Sequence, residues 1–306
     1  MEKRNSLHKL NIFNRRKMSK SERVVYIIVF IMFSLYAAFI LFFFLFAFFC
    51  ALRKDGFEFD MERHNHANLF SWPANASFES FKNSFNTLAQ INGGKDSFLV
   101  ITWNSIWRTT TYVFLSILTS SMVCYILVFY RSKFTRFLYN FGIFVAILPL
   151  YGSTASTIRL YNQIGFINNP FALITSIGLY GGYFFYMYSF YKSISWDYAE
   201  AAFVDGASHY RVFFQIMLPM ALPSISALFV MSFISAWNDY ESTILYMPHY
   251  PNLAYAVYAM ETISEYRNIV PAYLAGVLVS LIPILILFLV FQNSIMEKVH
   301  LGGLKG

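Results

Sequence analysis

Apolar residues in this chain gather into long runs separated by short charged patches, and the stretches free of Asp, Glu, Lys and Arg predict its elements. Val24–Leu52 has 29 such residues, Thr109–Tyr130 has 22 and Phe137–Ile158 has 22. Leu160–Tyr191 has 32 but opens on Asn162, Gln163, Asn168, Asn169 and Pro170, which leaves Phe171–Tyr191 as its apolar part. Val212–Asn238 (27 residues, apolar from Pro219) and Asn268–Met296 (29 residues, with a core at Ala272–Phe291) complete the set. A helix needs about 20 predominantly apolar residues to cross hydrocarbon, so the pattern predicts an all-α integral membrane protein with six transmembrane helices. Ser242–Met260 is uncharged over 19 residues. Its Met247-Pro248-His249-Tyr250-Pro251-Asn252 stretch would break a helix and leave backbone groups unpaired in lipid. It reads as an external loop with a short Tyr-rich helix rather than a seventh span.

Composition agrees with this reading and narrows it. Of 306 residues, 57% are hydrophobic and 13% charged, about half the charged share of a soluble domain. Too few charges remain to cover a water-facing surface, which rules out a soluble enzyme and a disordered chain. Cys50 and Cys124 both lie in apolar runs, which speaks against a disulfide framework or a zinc site.

The basic residues orient the spans. With six spans, the segments on one side hold 15 Lys/Arg: eight up to Arg23, three in 131–136, two in 192–211 and two near the C-terminus. The other side holds seven, and Arg108 sits at a span edge. Cytoplasmic loops carry the Lys/Arg excess, so both termini are expected in the cytoplasm, and the net charge of +7 marks a cytoplasmic flank rather than a nucleic-acid surface. The expected layout is a basic N-terminus (1–23), a first span (24–52), an external loop (53–103), a five-helix core (104–296) and a cytoplasmic tail (297–306). The first run exceeds the h-region of about 7–15 residues of a secretory signal, and Phe48-Phe49 before Cys50 does not suit lipoprotein processing, so it is expected to be retained.

Candidate chemistry outside one loop is sparse. His64 and His66 lack a third metal ligand nearby and read as an exposed polar loop. Gly93-Gly94-Lys95 does not meet the phosphate-loop spacing, because Ala89 stands where a glycine is needed and Asp96 follows the lysine. Asn75-Ala76-Ser77 matches a glycosylation tripeptide that is common by chance. The spans hold almost no ionisable groups, which weakens proton-relay and ion-coupled readings.

Lys192–Pro219 is the informative segment. It reads as two short helices about a glycine: Ser195 and Asp197 favour the start of the first, Gly206 suits its left-handed C-terminal position, and Ser208 caps the second. Trp196, Ala199 and Phe203 share one face. By physics alone, this is a slim helix for a protein groove or one lying on the membrane surface. Its residues Glu200-Ala201-Ala202, Gly206 and Ile216-x-Leu218-Pro219 resemble the EAA loop of ABC importer permeases, with every fixed position at the family spacing. Trp103-Asn104-Ser105, Tyr125, Ile147–Ser153, Leu160-Tyr161-Asn162, Trp237-Asn238-Asp239-Tyr240 and the tail Gly302–Gly306 are similar to the maltose and oligosaccharide (MalG-like) branch.

The resemblance implies the type I importer (MetI-like) fold and a transport subunit rather than an enzyme. It further implies a second permease subunit, two ATP-binding subunits that carry ATP and magnesium, an extracellular solute-binding protein, and no cofactor in this chain. Glu200, Ala201, Ala202, Asp205 and Gly206 would form the ATPase-coupling surface, supported by Trp196, Phe203, Ile216, Leu218 and Pro219. Glu200 would pair with a basic ATPase group; the bland alternative is a solvated helix charge. Trp237, Asn238, Asp239, Tyr246 and Tyr250, with Tyr255 and Tyr258, would line the substrate path or meet the binding protein, although interfacial anchoring accounts for tyrosines there equally well. A sugar is the implied cargo; another small solute such as glycerol phosphate, or a secondary transporter, is the alternative.

Overall fold

The computed structural model describes residues 19–54, 56–64, 70, 72–73, 75–90, 96–148, 153–177, 183–262 and 269–301, and every regular element among them is helical. In order these are α1 (Lys20–Ala51), α2 (Gly56–His64), α3 (Glu79–Gln90), α4 (Phe98–Phe129), α5 (Lys133–Ile147), α6 (Thr154–Gln163), a 3-10 turn (Pro170–Ser176), α7 (Phe184–Ser193), α8 (Asp197–Val204), α9 (His209–Val212), a π-helical turn (Phe213–Met217), α10 (Leu218–Trp237), α11 (Glu241–Leu245), α12 (Leu253–Thr262) and α13 (Val270–Leu301). The helix caps follow from serines in the sequence. Ser19 Oγ accepts from Glu22 N while the Glu22 carboxylate accepts from Ser19 N, a reciprocal pair that satisfies two first-turn donors of α1. Ser97 and Ser132 accept in the same way at the starts of α4 and α5.

Among the described residues, four helical stretches are long and apolar enough to cross a membrane: Lys20–Ala51, Phe98–Phe129, His209–Trp237 and Val270–Gln292. The other two expected spans are divided. Phe137–Ile158 is shared between α5 and α6, and Phe171–Tyr191 between the 3-10 turn and α7, with 149–152 and 178–182 outside the described residues. The first division has a local cause. Leu148 takes φ −66°, ψ 121°, the extended geometry imposed on a residue before proline, here Pro149. The Gly302–Gly306 tail, His66 and Gly93–Lys95 also lie outside the described residues.

The core is built on α4. This helix packs against α7, α10, α12 and the 3-10 turn, and α10 in turn packs on α13. Ile101, Val113 and Cys124 of α4, Phe184 and Met187 of α7, and Ala221 of α10 are buried at these contacts. By contrast, none of the most apolar stretch of α1 is buried; it lies along α13 and turns Phe30, Phe33, Leu35 and Phe39 outward. That is the composition of a lipid-facing helix.

The segment 53–103 differs from the expected loop, since it contains α2, α3 and the first turn and a half of α4. Ser80, Ser84, Thr87 and Leu88 form the buried face of α3, which packs on α13. Three of these four side chains are small and polar, so the segment lacks the apolar period that marks a packed helix. Close approach replaces apolar area here: a Cβ at Gly276 of α13 would stand 2.9 Å from Ser84 Oγ. Gly276→Val should therefore cost about 1–3 kcal/mol through overpacking. The check is a lowered thermal midpoint for the purified protein in detergent, and an unchanged midpoint would show that α3 and α13 are not in close contact.

Candidate substrate cavity and coupling loop

A cavity of about 520 Å³ lies among the first half of α4, the end of α10, the 3-10 turn and the α11–α12 connection. α4 contributes Arg108, Thr109, Tyr112 and Ser116; Tyr161, Thr175, Tyr183, Asp239 and Tyr246 close the other sides. Aromatic faces and hydroxyls therefore dominate the wall, with one cation and one anion on it.

Arg108 organises this region. It is 6% exposed, and a guanidinium in such a place must spend its donors on protein acceptors. Nη1 donates to Thr243 Oγ1 (2.7 Å) and to the Tyr250 carbonyl (2.6 Å), and Nη2 donates to Ser242 Oγ (2.9 Å). Neighbouring residues of α4 extend the hold. Asn104 Nδ2 donates to the Pro251 carbonyl (3.1 Å), and Ser105 Oγ accepts from Leu253 N (2.7 Å). Within the connection, Asn252 Oδ1 accepts from Thr243 Oγ1 and Tyr255 N, and its Nδ2 donates to the Asp239 carbonyl. One face of α4 thus fixes a segment some 140 residues away in sequence.

A second tie crosses the cavity mouth. Asn168, in the left-handed region at φ 56°, donates from its backbone N to the Tyr246 carbonyl (2.8 Å), and its Oδ1 accepts from His249 N (2.9 Å). Asparagine is among the few non-glycine residues that tolerate this φ. The Tyr161 ring lies 5.0 Å from that of Tyr246, and its hydroxyl pairs with Thr175 Oγ1 at 2.6 Å. Burial, with Tyr161, Asp239 and Glu241 nearby, pushes the Tyr246 phenol up from its ordinary value, so it stays a neutral donor at physiological pH.

The structure separates the residues expected on the substrate path. Asp239 and Tyr246 line the cavity. Tyr250 serves through its carbonyl, while its ring stands edge-on to Trp107 at 6.0 Å. Trp237 is 2% exposed and donates from Nε1 to the Ser280 carbonyl, which places it in the α10–α13 packing. Asn238 turns its amide back to the Ile234 carbonyl. Tyr258 stacks on Tyr240 at 4.2 Å. Sequence reading passes over Tyr112; it notes Arg108 only as a cation at a span edge that an anionic cargo could use, and Asn168 only as part of a polar stretch, and it gives neither the structural role seen here.

At the opposite end of α4, the 192–219 segment folds as two short helices. The Ser195 hydroxyl accepts from Asp197 N (3.3 Å) at the start of α8, and Ser208 accepts from Arg211 N (3.4 Å) at the start of α9. Gly206 sits at φ +81° with nothing within 4 Å of an added Cβ, so a side chain there would meet backbone strain rather than a clash. The apolar face of α8 is already occupied. Trp196 stacks on Phe129 of α4 (4.9 Å) and contacts Phe203 (5.9 Å), and Ala199 is fully buried. The Tyr130 hydroxyl pairs with His209 Nδ1 at 2.6 Å. Ala202 is buried as well, whereas Glu200, Ala201, Asp205 and Gly206 are exposed, alongside Tyr198 and Val204.

The π-helical turn follows, containing Ile216 and ending where Leu218 N donates to the Phe213 carbonyl, five residues back. Pro219 explains the widening. It has no N–H for the Gln215 carbonyl, and its ring would crowd that carbonyl in a regular α-helix.

A multi-helix membrane bundle with a polar, aromatic-walled cavity at one end and a solvent-facing two-helix loop at the other is the arrangement of a transport subunit. The chain belongs to the family of binding-protein-dependent transport system inner membrane components, whose model matches residues 12–295. It is 30% identical over 244 residues to the diacetylchitobiose uptake system permease protein NgcG of Streptomyces coelicolor, covering 76% of each chain. It is 28% identical over 209 residues to the arabinooligosaccharides transport system permease protein AraQ of Halalkalibacterium halodurans, covering 67% of this chain and 74% of that one. Its fold matches a chain in the crystal structure of a bacterial ABC transporter involved in import of the acidic polysaccharide alginate, with a TM-score of 0.73 at 18% identity over 91% of this chain and 99% of that chain.

Hydrogen bonds from a charged donor contribute about 1.5–3 kcal/mol each, so Arg108→Ala should free the 242–253 segment. Amide exchange across those residues is expected to rise roughly tenfold or more, measured by hydrogen–deuterium exchange on the purified chain. Unchanged protection would mean that Arg108 does not hold the segment.

Proposed function

We propose that the chain is one of two permease subunits of an ATP-driven importer and passes a sugar or oligosaccharide along the cavity beside α4. The carrying observation is that this cavity, walled by tyrosines and hydroxyls, and the exposed Glu200–Gly206 surface sit at opposite ends of the same helix. Sugars present CH faces for aromatic rings and hydroxyls for hydrogen bonds, and the wall offers both. The relatives whose names specify oligosaccharide cargo support the same class.

In this reading the chain crosses the membrane six times, with both termini and the 192–219 segment in the cytoplasm. ATP and magnesium are held by two separate ATP-binding subunits, and an extracellular binding protein delivers the cargo to the end that carries Tyr246. The exposed Glu200, Ala201, Asp205 and Gly206 contact the ATP-binding subunit, with Glu200 making a charge-assisted hydrogen bond there. Because Trp196 and Phe203 are packed on Phe129, movement of α8 is passed to α4 directly and to α10 through Leu218 and Pro219. Alternating access follows from that movement.

Arg108 on the cavity wall favours a second reading of the cargo, an anionic solute such as a uronic-acid oligosaccharide or glycerol phosphate.

Co-expression with the neighbouring gene products and reconstitution into liposomes tests these assignments. Sugar-stimulated ATP hydrolysis is the expected readout. Glu200→Ala with Gly206→Asp should abolish the stimulation while leaving the chain folded; stimulation at the wild-type level would remove the coupling role. Acidic and neutral oligosaccharides in parallel separate the two cargo readings. For sidedness, Ser208→Cys in a chain whose native cysteines are replaced should resist an impermeant thiol reagent added outside intact cells, and ready labelling would reverse the orientation.

A further inference from the structure

A second cavity, about 490 Å³, lies at the other end of α4, enclosed by the α4–α5 turn and the α7–α8 turn. Among the described residues its wall carries three cations, Arg131, Arg136 and Lys192, together with Tyr139, Tyr188 and Trp196, and no carboxylate. Among the described residues none of the three cations lies within 4 Å of an Asp or Glu oxygen. All three are exposed at the cavity rim, and an anion seated among them would be attracted by each.

The position of the cavity identifies the anion. It sits where α4, a membrane-crossing helix, ends at Phe129, so it lies at the edge of the hydrocarbon. The first turn of α5 gives the same level. One face of α5 presents Arg136 and Tyr139 to the cavity, while the opposite face leaves Phe134, Phe137, Phe141 and Phe144 exposed. An exposed phenylalanine stripe of this kind faces lipid tails, with the basic cavity just above them. Basic pockets at that depth between membrane helices suit the phosphate of an acidic lipid.

We propose that this cavity binds the phosphate headgroup of an anionic phospholipid. Arg131 and Arg136 are suited to fork-like contact with phosphate oxygens, and Lys192 to a point-charge contact. Tyr139 and Tyr188, stacked at 4.5 Å, form an amphipathic side for the glycerol portion. Trp196 and Lys192 stand at the entry to the 192–219 segment, so a seated headgroup braces the point where the coupling loop leaves the membrane. The site is independent of the cargo cavity and of the sugar assignment.

The test uses the full chain purified in dodecyl maltoside and examined by native mass spectrometry with dioleoyl phosphatidylglycerol or dioleoyl phosphatidylcholine. Phosphatidylglycerol should be retained at least several-fold more than phosphatidylcholine. Arg131→Ala/Arg136→Ala/Lys192→Ala should erase that preference, whereas Arg131→Lys/Arg136→Lys should keep most of it and Lys20→Ala/Arg23→Ala, altering basic residues elsewhere, should keep all of it. Equal retention of the two lipids, or an undiminished preference in the triple alanine variant, overturns the proposal. Displacement of phosphatidylglycerol by millimolar glycerol 1-phosphate would instead assign the cavity to a soluble phosphate. Loss of the preference when the ATP-binding subunits are added would assign it to an acidic protein surface.

Discussion

The bundle depends on one constraint: α4 must keep a buried guanidinium satisfied at one end and a large aromatic cluster packed at the other. At 1.5 Å per residue, the 21 residues from Arg108 to Phe129 span about 32 Å, close to the roughly 30 Å hydrocarbon thickness of a bilayer. The middle of the helix is buried against α7 and α10, and its buried Ser121 hydroxyl is taken up by the Tyr191 hydroxyl of α7 at 2.6 Å, so it serves neither end. Each end therefore recruits its partners from distant segments. Arg108 takes Ser242, Thr243 and the Tyr250 carbonyl; Phe129 and Tyr130 take Trp196 and His209. The cavity wall and the coupling loop are both consequences of how this helix is completed.

The two attachments differ in kind, and the difference suits a machine that must move. Charged hydrogen bonds to Thr243 and Tyr250 are directional and fix the α11–α12 connection in one geometry. Ring stacking between Phe129 and Trp196 tolerates sliding and tilting at small cost, because dispersion is spread over many atom pairs. The cavity proposed for the cargo sits at the hydrogen-bonded end, and the surface proposed for the ATP-binding subunit at the stacked end.

Much of this was legible in the sequence where one residue type dominates a run or a motif has fixed spacing. Charge-free runs locate α1, α4, α10 and α13, and capping chemistry in the 192–219 segment gives Ser208 as a cap and Gly206 at positive φ. The apolar count does not show where backbone chemistry divides a run: Pro149 sets Leu148 extended and ends α5 inside the expected span Phe137–Ile158. It also failed for α3, whose buried face is Ser80, Ser84 and Thr87 and whose fit to Gly276 leaves no apolar stripe to count. Trp237 is expected on the substrate path or against the binding protein only through the resemblance of Trp237–Tyr240; in space it is a packing residue that donates to the Ser280 carbonyl. The role of Arg108 was hidden because its acceptors lie more than 130 residues downstream, a distance no local pattern spans.

The π-helical turn at Phe213–Met217 has a consequence for phase. Adding one residue to a helical turn rotates everything beyond it by about 100° relative to an uninterrupted α-helix. A helical wheel drawn from Ser208 to Trp237 as one unit therefore misplaces α9 against α10 by about that angle, although Ala221, Ile225, Leu228 and Ser232, all buried, share one face of α10 in either count. The face that α9 presents at the 192–219 segment is therefore not the face that α10 presents beyond Leu218.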